Sequence, residues 1–161
     1  LSVFHAAKIL QAAEGIREDE AASRAANAID SGAAIRKFGE IIAAQGGNAG
    51  DVYKTLPMSD TVHTLRAKED GYVRISALAL GRACAALGGG RAKEGDAIDH
   101  GAGILLKVRQ GARVKKGAVL AEAYCSKSGE EGFALAESAF AFSPKKIKDR
   151  PLVYAFIGGK E

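Results

Sequence analysis

The sequence predicts an α+β fold: a short helical segment over residues 1–56, then a domain mixing strands and helices over residues 57–161. Three observations carry this. Apolar residues in the first third recur every three or four positions, the period of helices buried on one face. The stretch NAGDVYKTLPMSD then breaks the pattern with Gly, Asn, Pro and Ser, and Pro57 disfavours helix at the residue before it. Beyond it, β-branched and aromatic residues alternate with polar ones around glycine turns, the period of half-buried strands.

Val3, Ala7 and Leu10 lie at i, i+4 and i+7 on a first helix that Ser2 is placed to cap and Gly15 to end. A second helix runs through EDEAASRAANAID, its acidic start suiting the positive end of the helix dipole and Ala22, Ala25, Ala26 and Ile29 sharing a face. It stops near Gly32. Ser31 is the expected cap of a third helix, with Ile35, Phe38 and Ile42 as its apolar face and Gly46-Gly47 as its exit. Alanine buries little area, so three such helices call for a further surface to lean on.

After the break, DTVHTLRAKEDGYVRIS reads as a hairpin or two short strands around Asp70-Gly71. Ser76 caps a helix with Ala77, Leu80, Cys84 and Leu87 on one face, closed by the triple glycine 88–90. GILLKVRQGARVKKGAVLAEAYC gives two alternating strands, with Ile104, Leu106 and Val108 on one face of the first, and Gly111 and Gly117 bracketing the turn. EEGFALAESAFAFS is a helix with Phe133, Ala136 and Phe140 inward, and PLVYAFIG is a final strand after Pro151. No internal repeat is present.

Composition narrows the function classes. With 161 residues, 47% of them hydrophobic, the chain can build a packed core. No apolar run reaches the roughly 20 residues of a membrane span, and LSVFHAAKILQAAEGI lacks the features of a secretory signal, so no membrane partner and a cytoplasmic location are expected. The net charge of +4 raises the question of nucleic acid. Its densest cluster, Lys145, Lys146, Lys148 and Arg150, lies between two prolines with no aromatic interleaved, which reads as a solvated loop and not a nucleic-acid surface. Cys84 and Cys125 form no CxxC pair and no histidine stands at metal-ligand spacing, so neither metal nor cofactor is expected. Cys84 shares a helical face with Leu80 and Leu87 and should be the buried thiol; Cys125, at a strand end, should be the more exposed one. His5, His63 and His100 stand apart, with no nucleophile elbow or triad context, and no catalytic residue is assigned.

Two stretches are more particular than composition. SGAAIRKFGEIIAAQGGN is followed by EDGYVRISALALGRACAALGGGRAKEGDAIDHGAGI and then QGARVKKGAVLAEAY. In that order and spacing they resemble the carboxyl-terminal third of thymidine and pyrimidine-nucleoside phosphorylases. The resemblance implies an α/β-hammerhead domain, related to the barrel-sandwich of biotinyl and lipoyl domains, over residues 57–161. Residues 1–56 would be the end of the family's large α/β domain. The implied parent reaction is reversible phosphorolysis of pyrimidine nucleosides to free base and pentose 1-phosphate. Phosphate and nucleoside would be held by an upstream catalytic portion, in a parent enzyme that is a homodimer. The family's lysine-histidine-serine phosphate signature and its Arg/Ser/Lys base-reading set do not occur in this sequence, so the chain alone is not expected to turn over nucleoside, and no substrate-binding residue is assigned.

The candidate site is the loop LGGGRAKEGDAIDHGAG, with Arg91, Asp96 and Asp99. Three glycines before an arginine could cradle an oxyanion, but they end a helix, where the dipole is negative, and two aspartates lie close by. The resemblance implies a loop facing the interdomain cleft that helps hold a closed form. Arg91, Asp96 and Asp99 would order it through charge-assisted hydrogen bonds, against the alternative of a surface turn without a role. A carrier module is the rival class, yet a Met-Lys-Met or Asp-Lys attachment string is absent and Lys115 and Lys116 sit in the later turn. A small binding module without catalysis is the other.

Overall fold

A computed structural model of the chain describes residues 1–91, 93–126, 129–148, 151–155 and 157. They fall into two compact units, residues 1–55 with 150–161, and residues 56–149.

The first unit is built on three helices, α1 (Ser2–Glu14), α2 (Glu18–Asp30) and α3 (Ala33–Ala44), followed by a 3-10 turn, Ala49–Tyr53. Gly15 ends α1 as expected, in the left-handed region at φ 67°, with its N–H on the Gln11 carbonyl. Ser2 does not cap: it is already helical, and Leu1 occupies the cap position without a side-chain bond. The core between α1 and α2 is three buried alanines, Ala7, Ala21 and Ala25, with Val3, Leu10, Ile16 and Ala22 packed on them. On α2, Ala25 is buried and Ala22 packs on the core as expected, Ala21 joins them, and Ile29 is exposed instead. Small side chains let α1 and α2 approach closely, and a two-point pair between Arg24 and Glu14 (2.5 and 3.1 Å) spans them. Ser31 serves both helices: its hydroxyl donates to the Asn27 carbonyl at the end of α2 (2.6 Å) and accepts the Ala33 N–H at the start of α3 (3.4 Å), while Gly32 at φ 71° takes the cap position. On α3 only Gly39 is buried; Ile35, Phe38 and Ile41 stand exposed and Ile42 half-buried. An open apolar groove of about 770 Å³, lined by Val3, Ile9, Leu10 and Ile29, runs beside them. The strand expected at PLVYAFIG is not formed at residues 151–155 or 157, where Leu152 and Tyr154 are exposed side chains without a sheet partner; residues 156 and 158 lie outside the described residues.

The second unit holds β1 (Thr61–Arg66), β2 (Gly71–Ile75), α4 (Ala77–Cys84), a π turn (Ala85–Gly89), β3 (Gly103–Leu106), β4 (Arg113–Val114), β5 (Val119–Cys125), α5 (Glu130–Ser138) and β6 (Phe140–Ser143). Two antiparallel three-stranded sheets result, ordered β1-β5-β3 and β4-β2-β6, and they do not close into a barrel. The architecture is α+β, as expected. Of the two readings of the Asp70-Gly71 region, the two short strands form and the hairpin does not, because β1 and β2 belong to different sheets. Residues 67–70 instead run beside the turn 116–118: the Ala67 N–H binds the Ala118 carbonyl, Gly117 N–H binds the Ala67 carbonyl, and the Asp70 carboxylate accepts from the Lys116 N–H at 2.7 Å. Two chain segments thereby cross from one sheet to the other side by side.

Each sheet has its own core. Leu65, Ala83, Leu87, Ala121, Ala123, Cys125 and Ala136 pack beneath the first sheet, with Phe133 partly buried among them. Ala67, Val73, Val114 and Leu120 fill the second, and Phe140 touches both. Cys125 is the buried thiol (1% exposed) and Cys84 the half-buried one, the reverse of the expectation. The reason is that β5 is the central strand of its sheet, so its alternate residues Ala121, Ala123 and Cys125 all point inward. Ile104 reaches the first core and Val108, past the end of β3, the second; Leu106 is exposed. The last helix is shorter than expected: α5 ends at Ser138, and Phe140 opens β6 against Ile75.

Candidate functional site

The glycine loop begins where α4 widens into its π turn. Ser76 caps α4 by accepting the Ala79 N–H at 3.2 Å, and Ala83 and Leu87 bury against α5 and sheet one. Gly88 then takes φ 101°, a conformation glycine adopts without strain, and its carbonyl accepts the N–H of Asp99 at 2.9 Å. The helix therefore offers carbonyls to the loop, and the negative end of its dipole faces the glycines, an unfavourable place for phosphate.

Of the three residues singled out, Asp99 is the organiser. Its Oδ1 accepts from the Ser59 hydroxyl (3.0 Å) and the Gly101 N–H (2.9 Å), and its Oδ2 from the Ser59 hydroxyl (2.8 Å) and the Ser126 N–H (3.0 Å). The Ser126 hydroxyl donates to Ser59 Oγ at 3.1 Å. Hydrogen bonding to the Ser126 and then the Ser59 side chain, outweighing partial desolvation, lowers the carboxyl to about 2. Asp96 acts locally: its Oδ2 accepts the Lys93 N–H at 3.0 Å, closing a turn through Gly95 at φ 86°. Arg91 is exposed. The structure thus brings the two aspartates into the ordering of the loop and leaves the arginine on its outside.

Ser59, Gly101 and Ser126 were not singled out from the sequence. Each lies far from Asp99 or carries an unremarkable side chain, and no spacing rule connects a serine before β1 with another after β5. A second polar cluster was also hidden: Glu137 on α5 lies 3.2 Å from His63 Nε2 and 3.0 Å from Lys68 Nζ, while the His63 ring stacks on Phe133 at 4.8 Å. Lys68 first, then His63, holds the Glu137 carboxyl below its ordinary value. The cavity beside it, about 140 Å³ and lined by Leu65, Lys68, Leu120 and Phe142, is smaller than the roughly 300–1,000 Å³ of a small-molecule site. Among the described residues no three His, Cys, Asp or Glu side chains converge as metal ligands, and no helix is long and apolar enough to cross a membrane.

Residues 72–142 match the pyrimidine nucleoside phosphorylase C-terminal domain. The chain is 39% identical over 112 residues to a pyrimidine-nucleoside phosphorylase of Geobacillus stearothermophilus, covering 68% of this chain and 26% of that protein. It is 35% identical over 127 residues to a thymidine phosphorylase of Mycobacterium tuberculosis, covering 78% of this chain and 28% of that protein. It thus belongs, by its C-terminal domain, to the thymidine/pyrimidine-nucleoside phosphorylase family. The chain spans about a quarter of the length of these relatives.

Proposed function

We propose that the chain acts as the C-terminal portion of an enzyme catalysing reversible phosphorolysis of pyrimidine nucleosides to free base and pentose 1-phosphate. It contributes stability and domain closure, while an upstream catalytic portion holds phosphate and nucleoside. The observation that carries this is the match of residues 72–142 to a phosphorylase C-terminal domain. Two further features support it. The glycine loop presents helix carbonyls and a carboxylate, not the convergent N–H and cationic groups a phosphate needs. The apolar side chains exposed on α3 suit a helix that packs on a larger protein body. Residues 1–56 accordingly close the large α/β domain, residues 57–161 form the terminal domain, and Arg91 extends from its loop as the group that engages the closed form. The complete enzyme works as a cytoplasmic homodimer.

Release of free base from thymidine and uridine in the presence of phosphate tests the reading, with the isolated chain beside the full-length enzyme that contains it. The full-length enzyme is expected to turn over and the isolated chain to be silent; turnover by the isolated chain refutes the division of labour. Arg91→Ala in the full-length enzyme should lower kcat/KM about tenfold, the loss of one charge-assisted contact. An unchanged kcat/KM would remove Arg91 from closure.

A further inference from the structure

We infer that Asp99 is the positioning residue of the glycine loop: through Ser59, Gly101 and Ser126 it fixes the base from which the Arg91 arm projects during phosphorolysis. The inference rests on the closure reading above and adds the device that makes closure reproducible. Three segments distant in sequence meet at this one carboxylate: the entry to β1 at Ser59, the loop at Gly101, and the exit of β5 at Ser126. Ser59 is buried (9% exposed), and its N–H donates to the Gly101 carbonyl at 3.0 Å, so the loop is bonded to it through both backbone and side chain. The fit is tight. A Cβ at Gly101 would fall 2.7 Å from Ser59 N and 2.8 Å from its Oγ, so no larger residue enters without expelling Ser59. The opposite arm differs in exposure, because Arg91 and residues 93–95 are exposed, with the Asp96 carboxylate accepting the Lys93 N–H. The loop therefore has a base tied to the end of sheet one where β1 begins and β5 finishes.

Chemistry dictates the residue. Two N–H groups approach different oxygens of Asp99, and the Ser59 hydroxyl spans both, so both oxygens must be acceptors. An asparagine would turn an NH2 group toward one of those N–H donors. Ser126 is the exposed member of the knot, and its hydroxyl can be removed without opening a core.

The test uses the full-length phosphorylase containing this chain, with Ser126→Ala, Ser126→Thr and Gly101→Ala. Ser126→Ala should reduce kcat about three- to tenfold, the loss of one hydrogen bond to the knot, with KM for phosphate and the melting temperature unchanged. Ser126→Thr, which keeps the hydroxyl, should restore kcat. Gly101→Ala should lower kcat further and accelerate amide exchange at Ser59 and Ser126. Wild-type kcat in Ser126→Ala, or a loss that Ser126→Thr does not restore, overturns the inference and leaves the phosphorylase reading standing. A full-length wild-type enzyme that releases no base overturns both.

Discussion

At the scale of single residues, Asp99 has a signature in acid. Its carboxyl is lowered to about 2 in the folded chain, from an ordinary value of 3.8. A depressed folded value contributes stability that is full above the unfolded pKa and disappears as pH falls through the folded one. Urea unfolding of the chain should therefore show Asp99→Asn less stable than wild type by a constant amount above pH ~5, with the gap closing between about pH 4 and pH 2. A gap that persists at pH 2 would mean that shape, not charge, is what Asn fails to supply. Gly132 has a steric signature instead. A Cβ there would lie 2.7 Å from Leu87 Cγ and Cδ2 and 3.1 Å from the Leu87 backbone nitrogen. Leu87 is only 4% exposed and has nowhere to swing. Gly132→Ala should cost about 1–3 kcal/mol, the usual penalty of overpacking, read from the denaturation midpoint. It destabilises even though alanine is the better helix former.

At the scale of elements, periodicity located nearly every helix, and glycine located their ends. Gly15 closes α1, Gly88 closes the α4 region, and Ser76 caps as its position required. What periodicity does not encode is the partner. Val62 to Arg66 and Tyr72 to Ile75 both read as strands, but nothing in either run says that one pairs with β5 and the other with β6. That choice is made by turn chemistry at a distance, through Asp70 on Lys116 and Ala67 on Gly117 and Ala118. The same limit hid the knot: Asp99 was visible as part of a charged loop, whereas Ser59 and Ser126 become meaningful only once β5 returns beside β1. On α3 the pattern was legible and its satisfaction was not, since Ile35 and Phe38 form the expected stripe but stand exposed. α3 should accordingly be the least protected helix in the isolated chain. Its amides are expected to exchange at least about a hundredfold faster than those of β5, and equal protection would mean its apolar stripe is not needed for its stability.

At the scale of the whole molecule, the two units differ in how they are held. The first relies on Ala7, Ala21 and Ala25, which bury little apolar area, while the second has two side-chain cores bridged by Phe140. The second unit should thus remain folded under conditions that melt the first, and the isolated chain should unfold in two steps. The crossing of the strands between sheets also sets an order in time. Thr61 waits for Cys125 and Tyr72 for Ser143, so neither sheet can be completed while its last strand is still inside the ribosome. A transcript truncated ahead of Ser143 would leave β2 without β6, and Val73 and Ile75 exposed as an unpaired apolar edge. Sheet one can close once Cys125 has been made, whereas sheet two must wait for Ser143, so the two sheets are completed one after the other.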